Sequence, residues 1–266
     1  MTSVATHEAP DLILQTRALS KVFNGFVAVD GLDLNVTRGH VHALIGPNGA
    51  GKTTVFNLLT KFLRPSAGTI LFNGEPITGE RSDQTACRGI IRSFQISAVF
   101  GQMTALENVR VALQRRMGVS LHFWKSRRVL RDLDDRARSL LRSCGLADLA
   151  DVPAAALPYG SKRALELATT LAPEPTLLLL DEPTQGMGRE DVLHITELIR
   201  KVSVGKTVLM VEHNMDVVAS IASHITVLQR GAILAEGDYA SVSTDPIVME
   251  AYMGQTDMVA QEACHE

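Results

Sequence analysis

Cysteine is scarce in this chain, three among 266 residues. Cys87, Cys144 and Cys264 lie far apart with no C-x-x-C pair. That excludes a disulfide framework and a cysteine zinc site, and reduced thiols in a cytosolic protein are the simplest account. An excess of one charge is also missing: 26 basic residues stand against 29 acidic ones, a net charge of −3. No electrostatic footprint for nucleic acid follows from that balance. No apolar run approaches the length of a membrane span, and the densest, Thr176 to Leu180, is strand-sized. Residues 1–10 lack the apolar core of a signal peptide and read as a frayed tail. Internal repeats and low-complexity segments are absent. What remains, 45% hydrophobic and 21% charged, is ordinary globular composition. The length suits one large α/β domain, with or without a helical insertion.

The most informative stretch is Gly46-Pro47-Asn48-Gly49-Ala50-Gly51-Lys52-Thr53-Thr54, which fits G-x-x-x-x-G-K-[ST]. Val41, Ala43 and Ile45 before it alternate as in a buried strand, and Thr53 to Leu59 after it reads as the first turns of a helix. That strand–loop–helix context gives the pattern its meaning. Glycines let several backbone N–H groups point into one concavity without a Cβ to block a phosphate. The helix start adds partial positive charge, Lys52 is placed to reach the β/γ-phosphates, and the Thr53 hydroxyl can ligate Mg2+. The chain is therefore expected to bind a nucleoside triphosphate.

Around this loop, Leu12 to Asn24 reads as a strand, and Gly31 to Val36 alternates as a second, antiparallel one. Arg64–Gly68 is expected to end the first helix. Thr69–Phe72 is a further strand before an Asn73-Gly74 turn, and Ile90–Phe94 is a short strand delivering Gln95. From Phe100 to Gly145 the period becomes helical: Val129, Leu130, Leu133, Ala137, Leu140, Leu141 and Cys144 fall on one face. Within it, Leu121–Arg128 sets the only tryptophan, Trp124, beside a basic cluster, either as a helix–helix contact or as a surface for a membrane-embedded partner or lipid headgroups. Then helix Ser161–Leu171, strand Leu177–Leu180, helix Asp191–Val202, strand Thr207–Val211, helix Met215–Ser223 and a hairpin of Ile225–Leu228 with Ala232–Ala235 are expected. Continuous apolar runs alternating with helices predict parallel strands covered on both faces.

Asp181 and Glu182 follow Leu177–Leu180, at the strand edge where parallel sheets place ligands. Asp181 is suited to hold Mg2+ through water, and Glu182 to orient or deprotonate the attacking water. His213, one residue beyond Val208–Val211, reaches the same edge and can donate to a γ-phosphate. The amide oxygen of Gln95 is similarly placed for Mg2+ or the water. His7, His40, His42, His122, His194, His224 and His265 read as surface or packing residues.

Together the loop 46–54, Gln95, Leu157–Lys162, Asp181-Glu182-Pro183-Thr184 and His213 resemble, in order, the nucleotide-binding cassette of ATP-binding cassette (ABC) transporters. The resemblance covers residues 11–254, leaving 255–266 as a C-terminal tail. It implies an α/β P-loop fold: a mainly parallel sheet core, an antiparallel β subdomain and a helical subdomain inserted at about 100–172. It also implies two cassettes head to tail, trapping two ATP molecules. Each ATP lies between one subunit's phosphate loop and the other's signature segment, here Pro158, Tyr159, Gly160 and Ser161. The start of a helix there turns free N–H groups toward a γ-phosphate. Phe23 takes the place of the aromatic adenine platform. The chain departs from the family's L-S-G-G-Q, with Pro158 for the serine and Ser161 for the glutamine. Gly188 stands where Asp or Asn is common.

The Y-G signature, Arg92-Ser93-Phe94-Gln95, Val211-Glu212-His213-Asn214-Met215, the insertion after Met103–Val109 and the ending Ala251-Tyr252-Met253-Gly254 look like one branch. That branch is the ATP-binding subunits of branched-chain amino acid importers, in its longer form. It implies a homodimer or a heterodimer with a related ATPase, two transmembrane permease subunits and, indirectly, a periplasmic solute-binding protein. The place implied is the cytoplasmic face of a bacterial inner membrane. Such importers also serve urea, short amides and aromatic acids. Two other classes stay open here: a soluble P-loop kinase, which has no use for a signature segment, and a non-transport ABC ATPase.

Overall fold

Buried Ile13, Leu14, Thr16 and Leu19 mark Leu12–Phe23 as a strand, β1, in the computed structural model, which describes residues 11–93, 99–116 and 127–252. Asn24 and Gly25, both at positive φ, turn it tightly into β2 (Phe26–Leu32). The sequence predicts a single strand over Gly31–Val36, and this is corrected: β2 ends at Leu32 and β3 is Asn35–Thr37. The buried Thr16 hydroxyl explains the break. It donates to Leu32 O (2.7 Å) and accepts from Leu34 N–H (2.8 Å), bracing the chain between the two strands. β1 also pairs antiparallel with β5 (Ala67–Phe72), which turns at Asn73-Gly74 into β6 (Glu75–Pro76). These five strands form the antiparallel sheet.

The second sheet contains β4 (Val41–Ile45), β7 (Ile90–Arg92), β8 (Leu177–Asp181), β9 (Thr207–Val211), β10 (His224–Gln229) and β11 (Ala232–Gly237), in the order β11-β10-β4-β9-β8-β7. All its pairings are parallel except the β10–β11 hairpin. The apolar runs serve two cores. Ala43, Ile45, Leu178, Leu180, Val208 and Met210 face the helices, whereas Leu44, Leu177, Leu179, Leu209 and Val211 face the antiparallel sheet and helix α1 (Lys52–Leu59). Strand side chains alternate, so a strand apolar at every position must be covered twice. Truncating any of these buried leucines to alanine costs about 2–5 kcal/mol.

Helix α1 is shorter than expected. It ends at Leu59, not at Arg64–Gly68. Thr60 hydroxyl bonds back to Phe56 O (2.7 Å), and Lys61 then takes a left-handed φ of 62° that no helix continues. A short α2 (Ser82–Cys87) leads to β7. The helical region contains α3 (Ala105–Arg116), α4 (Arg127–Ser143) and α5 (Tyr159–Leu171). Leu133, Ala137, Leu141 and Cys144 are buried as their spacing predicts, against Val109 and Leu113 of α3 and Ala164, Leu165 and Ala168 of α5. Trp124 and Lys125, both tails and the Met253-Gly254 ending lie outside the described residues, and the cluster's Arg127 and Arg128 open α4.

Helices α6 (Arg189–Ser203), α7 (Met215–Ile221) and α8 (Tyr239–Ser243) follow, and a last helical segment spans 246–252. His42 is a packing residue, as expected. It lies edge-on to His224 and hydrogen-bonds Thr226 Oγ1 (2.8 Å), which donates to Glu236 (2.6 Å). Burial, with His224 beside it, pulls His42 down to about 3. No helix among the described residues is long and apolar enough to cross a membrane.

Candidate functional site

The phosphate-type loop leaves β4 at Gly46 and enters α1 at Lys52. Two of its glycines have steric reasons. Gly46 has φ 147°, and a Cβ there falls 2.2 Å from Leu228 O; Gly51, the α1 cap at φ 103°, would set one 2.5 Å from Ala28 O. The loop is braced from both sheets: Gly231 N–H donates to Ala50 O (3.0 Å), and Asp30 N–H donates to Gly231 O (2.9 Å). The β10–β11 turn thus clasps the loop to β2. Pro47, Asn48 and Gly49 form its outer part, while Thr53 is exposed and Thr54 half-buried on the first helical turn. Lys52 is buried, its ammonium donating to Gly46 O (2.7 Å) and Pro47 O (3.0 Å). Burial lowers its pKa, while Glu182 and Asp181 act against that shift. Loop and carboxylates therefore share one electrostatic neighbourhood.

Asp181 ends β8, and β8 and β9 align so that it pairs with Val211. Its Oδ2 is held by Arg92 of β7, and its buried Oδ1 has no hydrogen-bond partner among the described residues. Glu182 is half-buried, with a left-handed φ of 46°, and its N–H donates to Val211 O (2.9 Å). A non-glycine residue at positive φ carries strain of order 1–3 kcal/mol that its surroundings must enforce. The turn that follows is held by Glu212, fully buried. Its carboxylate accepts from Thr184 N–H (3.1 Å), Thr184 Oγ1 (2.6 Å), His213 N–H (3.0 Å) and Asn214 N–H (3.2 Å). It ties the turn after Glu182 to the segment that carries His213, which is exposed at the same edge. Sequence reasoning assigns Glu212 no role, although a carboxylate directly after an all-apolar strand is the signal for one. Gln95 lies outside the described residues.

The signature segment is built differently. Pro158 is the N-cap of α5 and supplies no side-chain cap. Tyr159 is 46% exposed and Ser161 half-buried. Gly160 packs against α6: a Cβ there would lie 2.5 Å from Asp191 Oδ1. The Tyr159 hydroxyl donates to Gln185 O (3.2 Å) and accepts from Arg163 Nη2 (3.0 Å), whose guanidinium also covers the ring and holds Glu166 (2.8 Å). Nothing in the sequence singles out Arg163. At Gly188, the α6 cap, a Cβ would meet nothing within 4 Å, so no packing demands glycine there.

Phe23 ends β1 and is 38% exposed, with the Lys21 ammonium 4.9 Å from the centre of its ring. It is not a core phenylalanine.

The ABC transporter family profile matches residues 29–185. The branched-chain amino acid transport ATP-binding protein BraF of Pseudomonas aeruginosa is 38% identical over 250 residues, covering 91% of this chain and 98% of its own. The chain belongs to the ABC transporter family. LivG of Escherichia coli, described in the same terms, is 36% identical with the same coverage. Among solved structures, the ADP conformation of MJ1267, an ATP-binding cassette of an ABC transporter, has a TM-score of 0.81 at 29% identity, covering 91% of this chain and 99% of that one. A nucleotide-free ABC cassette has a TM-score of 0.78, also at 29% identity. This ABC protein is thus a nucleotide-binding ATPase subunit with the mixed-sheet P-loop fold expected of it.

Proposed function

We propose that this ABC ATPase powers uptake of branched-chain or related hydrophobic amino acids through membrane permease subunits. The observation that carries the reading is convergence. Loop 46–54, Asp181-Glu182 and His213 meet at one carboxyl edge, while the start of α5 presents exposed Pro158 and Tyr159 apart from it. BraF and LivG, similar over 91% of the chain, supply the cargo class.

In this reading ATP phosphates sit on the N–H groups of Gly46–Thr54 with Lys52 as cation, and Phe23 stacks on adenine. The donor set fits Mg2+: a hydroxyl (Thr53) and a buried carboxylate oxygen, Asp181 Oδ1, lacking a hydrogen-bond partner among the described residues. Gln95 is the further ligand. Mg2+ supplies charge neutralisation on the phosphates. Glu182 orients or deprotonates the water, and His213 donates to the γ-phosphate. The second cassette, a copy or a related ATPase, presents Pro158, Tyr159, Gly160 and Ser161 in trans. The helical subdomain, about 100–172, passes closure to two permease subunits at the cytoplasmic face of the membrane, which a solute-binding protein feeds.

The test is reconstitution of the subunit with its permeases in vesicles with the binding protein present. ATP-dependent accumulation of labelled leucine is expected, abolished by Glu182→Gln. Accumulation of urea, an amide or an aromatic acid instead of leucine would refute the cargo, and ATP hydrolysis indifferent to the permeases would refute transport.

A further inference from the structure

Arg92 has no part in the reaction outlined above, yet it is paired directly with Asp181. Its side chain is 11% exposed and that of Asp181 0%, so their ion pair is removed from water. The guanidinium is also held from the other side: Nη1 donates to Asn57 Oδ1 on α1 (2.6 Å), and its face lies 5.6 Å from the centre of the Phe56 ring. Arg92 therefore spans β7, the end of β8 and the helix of the phosphate loop. It takes one oxygen of Asp181, Oδ2, and leaves Oδ1 with no partner among the described residues.

A buried carboxylate without a compensating charge is costly, far more so than an exposed one. Glu182 lies next in sequence and makes the local charge more negative. Lys52 is electrostatically coupled to both carboxylates but directs its hydrogen bonds to Gly46 O and Pro47 O. Among the described residues, Arg92 is the cation that makes a direct ion pair with Asp181.

We propose that Arg92 is the resident counter-ion of Asp181: a positioning residue that compensates and aims the carboxylate before the metal arrives, then shares it, keeping Oδ2 while Oδ1 turns to Mg2+. An ordinary structural ion pair between β7 and β8 predicts something different. Its contribution would be the same with and without metal. A resident counter-ion becomes partly redundant once Mg2+ neutralises the same carboxylate. The proposal rests on the assignment of Asp181 to Mg2+.

The experiment is thermal unfolding of the whole chain in saturating ADP, with EDTA or with excess Mg2+, so that the metal alone varies. Wild type is compared with Arg92→Met and with Arg92→Lys, which keeps the charge without the fork. In EDTA, Arg92→Met is expected to unfold about 10 °C below wild type, the usual consequence of orphaning one member of a buried pair. In Mg2+ that gap should shrink to less than half. Arg92→Lys should fall between the two in EDTA and match wild type in Mg2+. Equal gaps in both conditions would overturn the proposal, and if Arg92→Met does not fold, an Arg92→Lys gap unchanged by Mg2+ would overturn it equally. Asp181→Asn separates the two layers. If that variant keeps the full wild-type Mg2+ increment in Tm, the metal assignment itself fails. If it loses the increment while the Arg92 gaps stay equal, only the counter-ion role fails.

Discussion

The two halves of the proposed ATP pocket are made in opposite ways. The phosphate-loop half is over-determined: Gly46 and Gly51 sit where no Cβ fits, Gly231 bolts the loop to β2, and Glu212 takes two hydrogen bonds from Thr184 and one each from the His213 and Asn214 N–H groups. The signature half is a helix start with a proline that supplies no side-chain cap and an exposed tyrosine, held by the Tyr159 hydroxyl to Gln185 and Arg163 and by the packing of Gly160 against Asp191. A half that must hold a triphosphate in the monomer needs its backbone fixed in advance, because ordering it at binding would subtract from affinity. A half that meets nucleotide only on the face of another subunit has to stay accessible. The contrast teaches where each kind of variant should act.

The largest effect is expected on the rigid side. Glu182→Gln keeps the size of the side chain and removes the proposed base, so turnover should fall by about 100-fold or more while ATP affinity is kept, as measured by steady-state hydrolysis and nucleotide titration. Undiminished hydrolysis would show that this half carries no catalytic carboxylate. Next comes Glu212→Ala, which strips four donors of their acceptor inside the protein. A loss of about 3 kcal/mol is expected in urea unfolding, with hydrolysis falling alongside as Glu182 and His213 lose their shared tether. Stability within about 1 kcal/mol of wild type would mean the site is not over-determined. The smallest effect belongs to the open half. Pro158→Ser restores a hydroxyl at the cap of α5 and should tighten the ATP-bound pair by about 1 kcal/mol, read from the dimerisation constant of the Glu182→Gln background. No change there would remove side-chain contact from the signature's role and leave only backbone.

Legibility follows the same divide between local and distant causes. Loop 46–54 is visible in sequence because its constraint is local: glycine for positive φ, then a lysine at a helix start. The strand edge carrying Asp181, Glu182 and His213 is visible because fully apolar runs mark buried parallel strands, and whatever follows them lies at the ligand edge. The face of α4 is legible for a like reason. Three features are not. The break between β2 and β3 depends on Thr16, some sixteen residues away, and a threonine among strand residues gives no sign of where its hydroxyl bonds. The early end of α1 turns on Lys61 adopting a left-handed φ, which propensity alone does not predict for lysine. Arg92 and Glu212 stand in the sequence only as letters within longer motifs. Their meaning lies in partners 89 and 28 residues distant, Asp181 and Thr184, and no one-dimensional pattern holds such pairs.

Catalysis in the proposed function requires two cassettes, each completing the other's pocket. The most direct test measures ATP turnover per chain across a dilution series, with sedimentation run on the same samples. The account predicts turnover that vanishes where the 28.8 kDa single chain prevails and rises as a second cassette, its own copy or an added related subunit, associates. Full turnover per chain in samples that sediment only at 28.8 kDa would contradict it.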